Sequence, residues 1–192
     1  MPPSARQPYA SRGGLKLAAA LDSFDMSPAG LVCADLGCST GGFTDCLLQR
    51  GAAKVYAVDT AYGELAWKLR KDARVVVLER SNALHVELPE KIDLITIDLG
   101  WTRQRLSLPV AWAHAKPGGA IISLIKPHYE ADKTLLCRGV LPDVHVEATI
   151  EGVVAELVQL GIRIEALTDS PIRGQGGNRE VLALIRRSDL GD

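Results

Sequence analysis

The chain has almost no net charge, few cysteines and no long apolar run. Its 192 residues include 22 Lys and Arg against 23 Asp and Glu, a net charge of −1. A strongly basic domain is therefore excluded, and any nucleic-acid site must be a local patch. No apolar stretch approaches the ~20 residues of a transmembrane helix, and the N-terminus lacks the apolar core of a signal peptide. We expect a soluble, cytoplasmic protein.

Metal-ligating residues are also scarce and badly spaced. The four cysteines contain no C-x-x-C pair, and the four histidines show no metal-ligand spacing. Zinc is not expected, and reduced cytoplasmic thiols are the plain interpretation of the cysteines. The residues concerned are Cys33, Cys38, Cys46, Cys137, His85, His114, His128 and His145.

Apolar runs and amphipathic stretches alternate along the chain, which predicts an α/β fold. Near-continuous apolar strands are typical of a parallel sheet that helices cover on both faces. The last two strands form a hairpin, so we expect seven strands, mostly parallel, with an antiparallel last strand. The predicted strands are Leu31–Ala34, Lys54–Asp59, Val75–Glu79, Ile92–Asp98, Ala120–Lys126, Ile162–Leu167 and Val181–Ile185; the predicted helices are Ser11–Phe24, one from Phe43, Gly63–Lys71, about Arg105–Ala115 and Asp143–Leu160.

One domain accounts for the length. We predict a flexible N-terminus over residues 1–10 and a single domain over residues 11–188. Pro117-Gly118-Gly119 is predicted to turn the chain, and Pro127–Pro142, which has no period, to be a long mobile loop beside the active edge.

The stretch LVCADLGCSTGGF, Leu31 to Phe43, reads as a strand, a glycine turn and a helix start. Such a turn brings backbone N–H groups close to a ligand. A phosphate loop is excluded because Phe43 and Thr44 follow the last glycine, and Ser39 interrupts the dinucleotide pattern. Asp35 ahead of the first glycine suits a ligand with an amine and a positive centre, such as S-adenosylmethionine. Asp59 ends the next strand, where a carboxylate accepts ribose hydroxyls.

Charged residues also end other predicted strands. Asp98 and Lys126 stand at carboxyl ends, and Glu180 starts the reversed last strand, so all three are expected at one edge of the sheet. A charged residue at a strand end is often only a boundary, but several at one edge weaken that explanation. Lys16, on an amphipathic helix, is by itself best explained as part of a solvated face.

Several segments together resemble the TlyA/hemolysin-like branch of FtsJ-like RNA 2′-O-ribose methyltransferases, a Rossmann-like family that depends on S-adenosylmethionine. The resemblance covers nearly the whole chain. It rests on SRGGLKLAAAL (Ser11–Leu21), DLGCSTGGFTDCLLQRGA (Asp35–Ala52), VYAVDTAYGELAWKLR (Val55–Arg70), TID (Thr96–Asp98), KPGG (Lys116–Gly119), IKP (Ile125–Pro127) and GNRE (Gly177–Glu180).

The resemblance implies a catalytic tetrad and a cofactor site. The tetrad falls on Lys16, Asp98, Lys126 and Glu180, which replaces the solvated-face explanation of Lys16. Lys126 would act on a ribose 2′-hydroxyl in RNA, most naturally ribosomal RNA, either as a base or as an electrostatic stabiliser. The implied S-adenosylmethionine contacts are Asp35, Gly37, Ser39, Gly41, Phe43, Asp59, Asn82 and Asp98.

The chain departs from the family pattern on the acceptor side. The usual N-terminal RNA-binding domain does not precede the motifs, and Leu99–Arg103 replaces the common V-S-F-I-S. Arg173, Arg179, Arg186 and Arg187 would form a compensating basic patch, unless they are merely solvated surface. A non-RNA substrate, a non-catalytic S-adenosylmethionine or RNA-binding module, and a pore former remain alternatives. The expected assembly is a monomer or homodimer.

Overall fold

The computed structural model describes residues 7–186, apart from the side chain of Gln175. A seven-stranded sheet runs through the centre in the order β3-β2-β1-β4-β5-β7-β6. All neighbouring strands are parallel except β7, which is antiparallel to both β5 and β6. The predicted mostly parallel sheet with an antiparallel last strand is confirmed. The strands are β1 Val32–Leu36, β2 Lys54–Val58, β3 Val75–Leu78, β4 Ile92–Ile97, β5 Ala115–Ile125, β6 Ala166–Asp169 and β7 Val181–Arg186.

Helices cover both faces of this sheet. They are α1 Gly13–Ser23, α2 Gly42–Gln49, α3 Trp67–Arg70, α4 Gln104–His114, α5 Pro127–Glu130 and α6 Val146–Gln159. Helices α1 and α2 pack on one face, where Leu17 and Leu47 are fully buried, and α4 and α6 cover the other with Leu108 and Leu157. Because both faces are covered, the strands are apolar almost throughout.

The predicted end of β1 at Ala34 is wrong, since the strand continues to Leu36, and four further predicted segments differ from the structure. The predicted helix from Gly63 begins only at Trp67, because Gly63 has φ +82° and Ala66 is extended. The strand predicted from Ile162 begins at Ala166, since the N–H of Ile162 caps α6 by donating to the carbonyl of Leu157.

Irregular segments account for the other two. The predicted turn at Pro117–Gly119 is a bulge inside β5, where Ala115 pairs with Ile92 and Ala120 with Leu94. The predicted loop Pro127–Pro142 contains α5, a 3-10 turn at Lys133–Leu135 and a bridge between Cys137 and Val140.

The strand order reverses between β1 and β4. From that junction, the strands follow in the order β1, β2, β3 toward one edge of the sheet, and β4 and β5 follow toward the other edge. Ligands of open α/β sheets bind beyond the carboxyl ends of the strands at such a point. The first residues past the ends of β1 and β4, Gly37 and Asp98, therefore mark where a site is expected.

Candidate active site

The glycine turn after β1 is held closely against two neighbouring strands. The N–H of Gly37 donates to the carbonyl of Val58 at 2.9 Å, and the N–H of Ser39 donates to Oδ2 of Asp59 at 2.8 Å. Gly37 has φ +90°, and a Cβ there would lie 2.7 Å from the carbonyl oxygen of Asp98. Only glycine fits, because any side chain would push the ends of β1 and β4 apart.

Two cavities open on this turn and meet at Gly37, Ser39 and Asp98. The first, of about 470 Å³, lies between the turn and the start of α1. The second, of about 330 Å³, extends past the ends of β2 and β3. Together they form one cleft across the strand-order reversal. Of the predicted cofactor residues, those lining one or both cavities are Gly37, Ser39, Phe43, Asp59, Asn82 and Asp98.

Asp35 lies beneath the turn and lines neither cavity. Its fully buried carboxylate accepts from the N–H and Oγ1 of Thr44 at 2.9 and 2.7 Å and from Oγ1 of Thr96 at 3.0 Å. Burial raises the pKa of Asp35 to about 7, although these hydrogen bonds oppose the shift. Asp35 therefore anchors the first turn of α2, and its contact with the cofactor stays a prediction.

Gly41 is the second predicted residue that does not line the cleft. Its Cα faces the side chain of Leu69, where an added Cβ would collide with Cδ1. The residue instead forms the left-handed start of α2, with φ +97°. Its place in the turn is structural, since it allows α3 to pack closely.

Asp59 is oriented by the backbone around it. Its Oδ2 accepts from Ser39 and its Oδ1 accepts from the N–H of Ala61 at 2.8 Å. Each carboxylate oxygen keeps a further lone pair, which a ligand hydroxyl can use. Asn82 stands opposite in the second cavity, where its Oδ1 accepts from the N–H of Leu84 at 2.9 Å. It is therefore both a turn residue and a cavity residue.

The segment before α1 also lines the first cavity, which the sequence motifs did not indicate. Ser11 and Arg12 line it together with Thr40 of the turn. The segment is attached to α2, because the N–H of Ala10 donates to Oδ2 of Asp45 at 2.7 Å. The only sequence signal was the S-R-G-G run, whose small residues permit close packing.

Lys126 forms an ion pair with Asp98, which lines both cavities of the cleft. Lys126 Nζ lies 2.6 Å from Oδ1 of Asp98 and donates to the carbonyl of Leu99 at 3.1 Å. Both side chains are partly accessible. An ammonium has three hydrogens, so this geometry leaves one of them for a ligand.

A second ion pair, Lys16 with Glu180, is more deeply buried. Nζ of Lys16 lies 2.5 Å from Oε2 of Glu180, whose side chain is 4% exposed. Gly174 makes room for that carboxylate, since an added Cβ would overlap Oε1. Val181 pairs with Ile125, so Glu180 and Lys126 stand side by side at the ends of adjacent strands. All four tetrad residues predicted from the resemblance thus come to one edge.

The predicted basic patch does not form among the arginines that the structure describes. Arg173 pairs with Asp143 at 2.7 Å and Arg186 with Glu165 at 2.9 Å. Arg179 bridges two carboxylates, those of Glu147 and Asp169. Their charges are compensated, so these residues offer no excess positive field. Arg187 lies outside the described residues.

Neither a metal centre nor a membrane helix is found within residues 7–186. No three His, Cys, Asp or Glu side chains there are grouped to hold a metal ion. None of the helices in that range is long and apolar enough to cross a bilayer. The cysteines are free, and burial raises the pKa of Cys33 to about 12 and that of Cys46 to about 11. These two thiols are therefore poor nucleophiles.

The names of two similar proteins agree with a methyltransferase site at this cleft. YqxC of Bacillus subtilis, whose name places it among rRNA methyltransferases, is 42% identical over 183 residues, 91% of this chain and 64% of that protein. The 16S/23S rRNA (cytidine-2′-O)-methyltransferase TlyA of Mycobacterium tuberculosis is 40% identical over 93% of this chain and 68% of its own length. The chain thus spans about two thirds of these relatives.

A solved structure and a family model also match most of this chain. The structure of a protein described as a hemolysin from Streptococcus thermophilus superposes with a TM-score of 0.91 at 37% identity, covering 97% of this chain and 70% of that one. The model of the FtsJ-like methyltransferases matches residues 9–187. With that match spanning both ion pairs and the glycine turn, the chain belongs to the FtsJ-like methyltransferase family.

Proposed function

We propose that the protein transfers the methyl group of S-adenosylmethionine to a ribose 2′-hydroxyl of ribosomal RNA. The observation that carries the proposal is the Lys126–Asp98 ion pair, 2.6 Å long, in which Asp98 lines both cavities. The name of the Mycobacterium relative supports a cytidine ribose as the acceptor. Membership of the FtsJ-like family supports the reaction class.

The cleft fits S-adenosylmethionine in size and chemistry. Its two connected cavities match a ligand with two polar ends, and Asp59 offers oriented acceptors to a ribose in the second cavity. Asn82 and Leu84 would border the adenine there. In the first cavity, the turn around Ser39 and the start of α1 would hold the amino-acid end. Bound there, the cofactor supplies an activated methyl group and leaves as a neutral thioether.

The residues of the chain must then orient and activate the acceptor hydroxyl. Two contacts, to Asp98 and to the carbonyl of Leu99, fix the ammonium of Lys126, which leaves one N–H for the 2′-oxygen. A donor at that position stabilises the negative charge that develops as the oxygen attacks. In this protonation state Lys126 is an electrostatic stabiliser, and the proton of the 2′-hydroxyl passes to water, which reaches the partly accessible ion pair. Lys126 accepts that proton itself only after losing its own.

Lys16 and Glu180 support this centre from the buried side. Glu180 adjoins Lys126 at the strand ends, and its charge is neutralised by Lys16. Lys16 also lines the first cavity, so it connects the cofactor pocket with the reaction centre. We propose that the Lys16–Glu180 pair keeps Lys126 and the cofactor in fixed positions relative to each other.

The test is transfer of labelled methyl from S-adenosylmethionine to ribosomal subunits and to free ribosomal RNA. Wild type should label a ribose 2′-oxygen, and Lys126→Ala should lose on the order of 100-fold or more in kcat, as for removal of a transition-state donor. Lys91→Ala, at an exposed lysine that donates to the carbonyl of Ala113, is the matched control. Cofactor binding without labelling of any RNA would overturn the proposed reaction.

A further inference from the structure

The segment between α5 and α6 has little apolar packing of its own. Seven of the nine residues 132–140 are exposed, and the other two are only partly buried. At its two ends, Ala131 and Leu141 are buried in a small cluster with Val146 of α6, and Leu136 packs against that cluster. Apolar contacts therefore fix the ends of the segment, and polar contacts must fix its tip.

The tip is a tight hairpin in a disfavoured conformation. Cys137 and Val140 exchange two backbone hydrogen bonds, of 2.8 and 3.0 Å. Between them, Arg138 has φ +51° and Gly139 has φ +81°. Two successive positive φ values are typical of a type I′ turn, in which Asn-Gly is the favoured pair. Because a long side chain at the first of these positions is disfavoured, the tip needs a contact from outside the hairpin to keep this shape.

Asn178 supplies that contact from the turn before β7. Its Oδ1 accepts from the N–H of Leu141 at 2.9 Å, and its Nδ2 donates to the carbonyl of Gly139 at 3.1 Å. The residue is only 3% exposed, so water does not compete for these two hydrogen bonds. One amide group thus holds the hairpin at two points.

The turn that carries Asn178 also contacts the buried carboxylate of the tetrad. The carbonyl of Asn178 accepts from the N–H of Gly174 at 2.9 Å, which closes the turn. Gly174 leaves room for the side chain of Glu180, because an added Cβ would overlap Oε1 of that carboxylate. The turn therefore lies against Glu180 on one side and holds the hairpin on the other.

The 131–141 segment faces the acceptor side of the molecule and not the cofactor cavities. Leu136 and Gly139 line a cavity of about 520 Å³ together with Tyr129, whose ring centroid lies 5.8 Å from Nζ of Lys126. Lys133 lines the same cavity. No residue of 131–141 is among the described residues that line the two cofactor cavities. A shift of this segment should therefore affect the acceptor and leave the cofactor site unchanged.

We propose that Asn178 is a positioning residue, which holds the 131–141 segment in the orientation that RNA binds and connects it to the turn beside Glu180. Without the two hydrogen bonds of Asn178, the hairpin would populate other orientations, and the apparent RNA affinity would fall with the fraction of molecules in the competent one. Neither the cofactor nor the reacting atoms touch Asn178, so its effect is on RNA binding. This inference rests on the proposed function.

The first experiment measures methyl transfer to ribosomal RNA by Asn178→Ala and Arg173→Ala. Arg173 is the matched control, because it joins the same turn to Asp143 at 2.7 Å, but through an exposed ion pair. Asn178→Ala should raise KM for RNA roughly tenfold, as expected when about a tenth of the molecules keep the competent hairpin. Its kcat and its affinity for S-adenosylhomocysteine should stay within about twofold of wild type, as should all three quantities in Arg173→Ala.

A second variant changes the hairpin without touching the buried turn. Gly139→Ala places a Cβ at φ +81° in open space, so it strains the tip and leaves the core unchanged. It should also raise KM for RNA and leave the affinity for S-adenosylhomocysteine unchanged. If either variant instead weakened S-adenosylhomocysteine binding as much as RNA binding, Asn178 would only support the fold, and the proposal would be overturned.

The second experiment measures the hairpin without catalysis, by limited digestion with trypsin. Arg138 is exposed at the tip, and its rate of cleavage follows the population of opened hairpins. Cleavage after Arg138 should be roughly tenfold faster in Asn178→Ala than in wild type or Arg173→Ala, whereas cleavage after the exposed Lys91 should not change. Ribosomal RNA should slow cleavage after Arg138 in wild type and have little effect in Asn178→Ala.

The two proposals fail in different ways. If wild type labels RNA and Asn178→Ala has the same KM as Arg173→Ala, the positioning role is wrong while the proposed reaction stands. If no RNA is labelled but RNA protects Arg138 from trypsin in wild type and not in Asn178→Ala, the positioning role stands and the proposed reaction is wrong. Equal rates of cleavage after Arg138 in all three proteins would show that Asn178 does not hold the hairpin.

Discussion

The two halves of the cleft are built by different means. The cofactor half, formed by the first and second cavities, depends on backbone geometry and buried polar contacts, such as those of Gly37, Asp35 and the Lys16–Glu180 pair. The acceptor half, which we propose to lie around Trp101, beside Tyr129 and Lys126, depends on exposed side chains such as Trp101 itself. Changes in the cofactor half should therefore reduce stability, whereas changes in the acceptor half should reduce activity on RNA and leave stability nearly unchanged.

The largest stability effect is expected from Lys16→Met. Removing one member of a buried ion pair leaves Glu180 charged and unpaired, which costs about 3–5 kcal/mol. The free energy of unfolding in urea, without cofactor, measures this loss. The double variant Lys16→Met/Glu180→Gln should recover a large part of it, because the buried charge is gone.

Lys126→Met is the comparison for that variant. Its partner Asp98 is more exposed, 24% against 4% for Glu180, so water replaces part of the lost interaction. We expect a stability loss of about 1 kcal/mol or less, together with the larger loss of methyl transfer. Equal stability losses for Lys16→Met and Lys126→Met would remove the distinction between the two pairs.

Asp35 should make stability depend on pH. Its pKa of about 7 in the folded protein lies above the unfolded value of about 3.9, so its stabilising contribution is full below pH ~4. That contribution is lost as the pH rises from ~4 to ~7, and the total change is on the order of a few kcal/mol. Asp35→Asn cannot ionise, so its stability relative to wild type should rise over this interval.

The substitution is compatible with the site. The amide oxygen can still accept from Thr44, and Nδ2 can donate to Oγ1 of Thr96, whose hydroxyl then donates to the carbonyl of Ala34 at 3.3 Å. Unfolding of both proteins in urea from pH 4.5 to 8 gives the difference, in which other titrating groups cancel. A difference that does not vary with pH would show that Asp35 stays ionised when buried.

Gly37→Ala tests the close contact between β1 and β4. The substitution combines a disfavoured φ of +90° with a Cβ 2.7 Å from the carbonyl oxygen of Asp98. The strain costs about 1–3 kcal/mol and displaces Asp98, so affinity for S-adenosylhomocysteine should fall as well. Gly63→Ala has φ +82° and nothing within 4 Å of its Cβ, so it isolates the backbone cost. Calorimetric affinities should separate the two variants.

Sequence reasoning located the cofactor half better than the acceptor half. Asp59, Asp98, Lys126 and Glu180 were predictable because residues at the ends of parallel strands share one edge. Asp35 lies inside the sheet and not past its edge, because β1 continues to Leu36 and Asp35 pairs within the ladder, between Ala57 and Thr96. A residue inside a strand points into a covered face, not past the edge.

The acceptor half depends on contacts between segments without a regular pattern. Gln104 holds the segment of Trp101 near Tyr129. The N–H of Gln104 donates to the carboxylate of Glu130, 26 residues away, and the side chain of Gln104 is buried against β5. No periodicity in either segment encodes such a contact. Lys16, in the cofactor half, shows the same limit, since its partner Glu180 is 164 residues away and only the family resemblance indicated its role.

The smallest effects are expected at the arginines near the C-terminal hairpin. Arg173→Ala and Arg179→Ala each break exposed ion pairs that contribute little to stability, and they remove charge that acids already compensate. Their KM for RNA should change less than about twofold. Arg103→Ala should behave differently, because Arg103 forms no direct ion pair among the described residues and acts on Glu130 and Asp132 only through space. Loss of one phosphate contact reduces the steepness of log affinity against log salt by about 0.7 for single-stranded RNA. Methyl transfer measured over a series of salt concentrations gives both quantities. If Arg173→Ala and Arg179→Ala reduced the salt dependence of RNA affinity and Arg103→Ala did not, RNA would approach from the opposite side of the sheet edge. The division of the cleft into a buried cofactor half and an exposed acceptor half would then not hold.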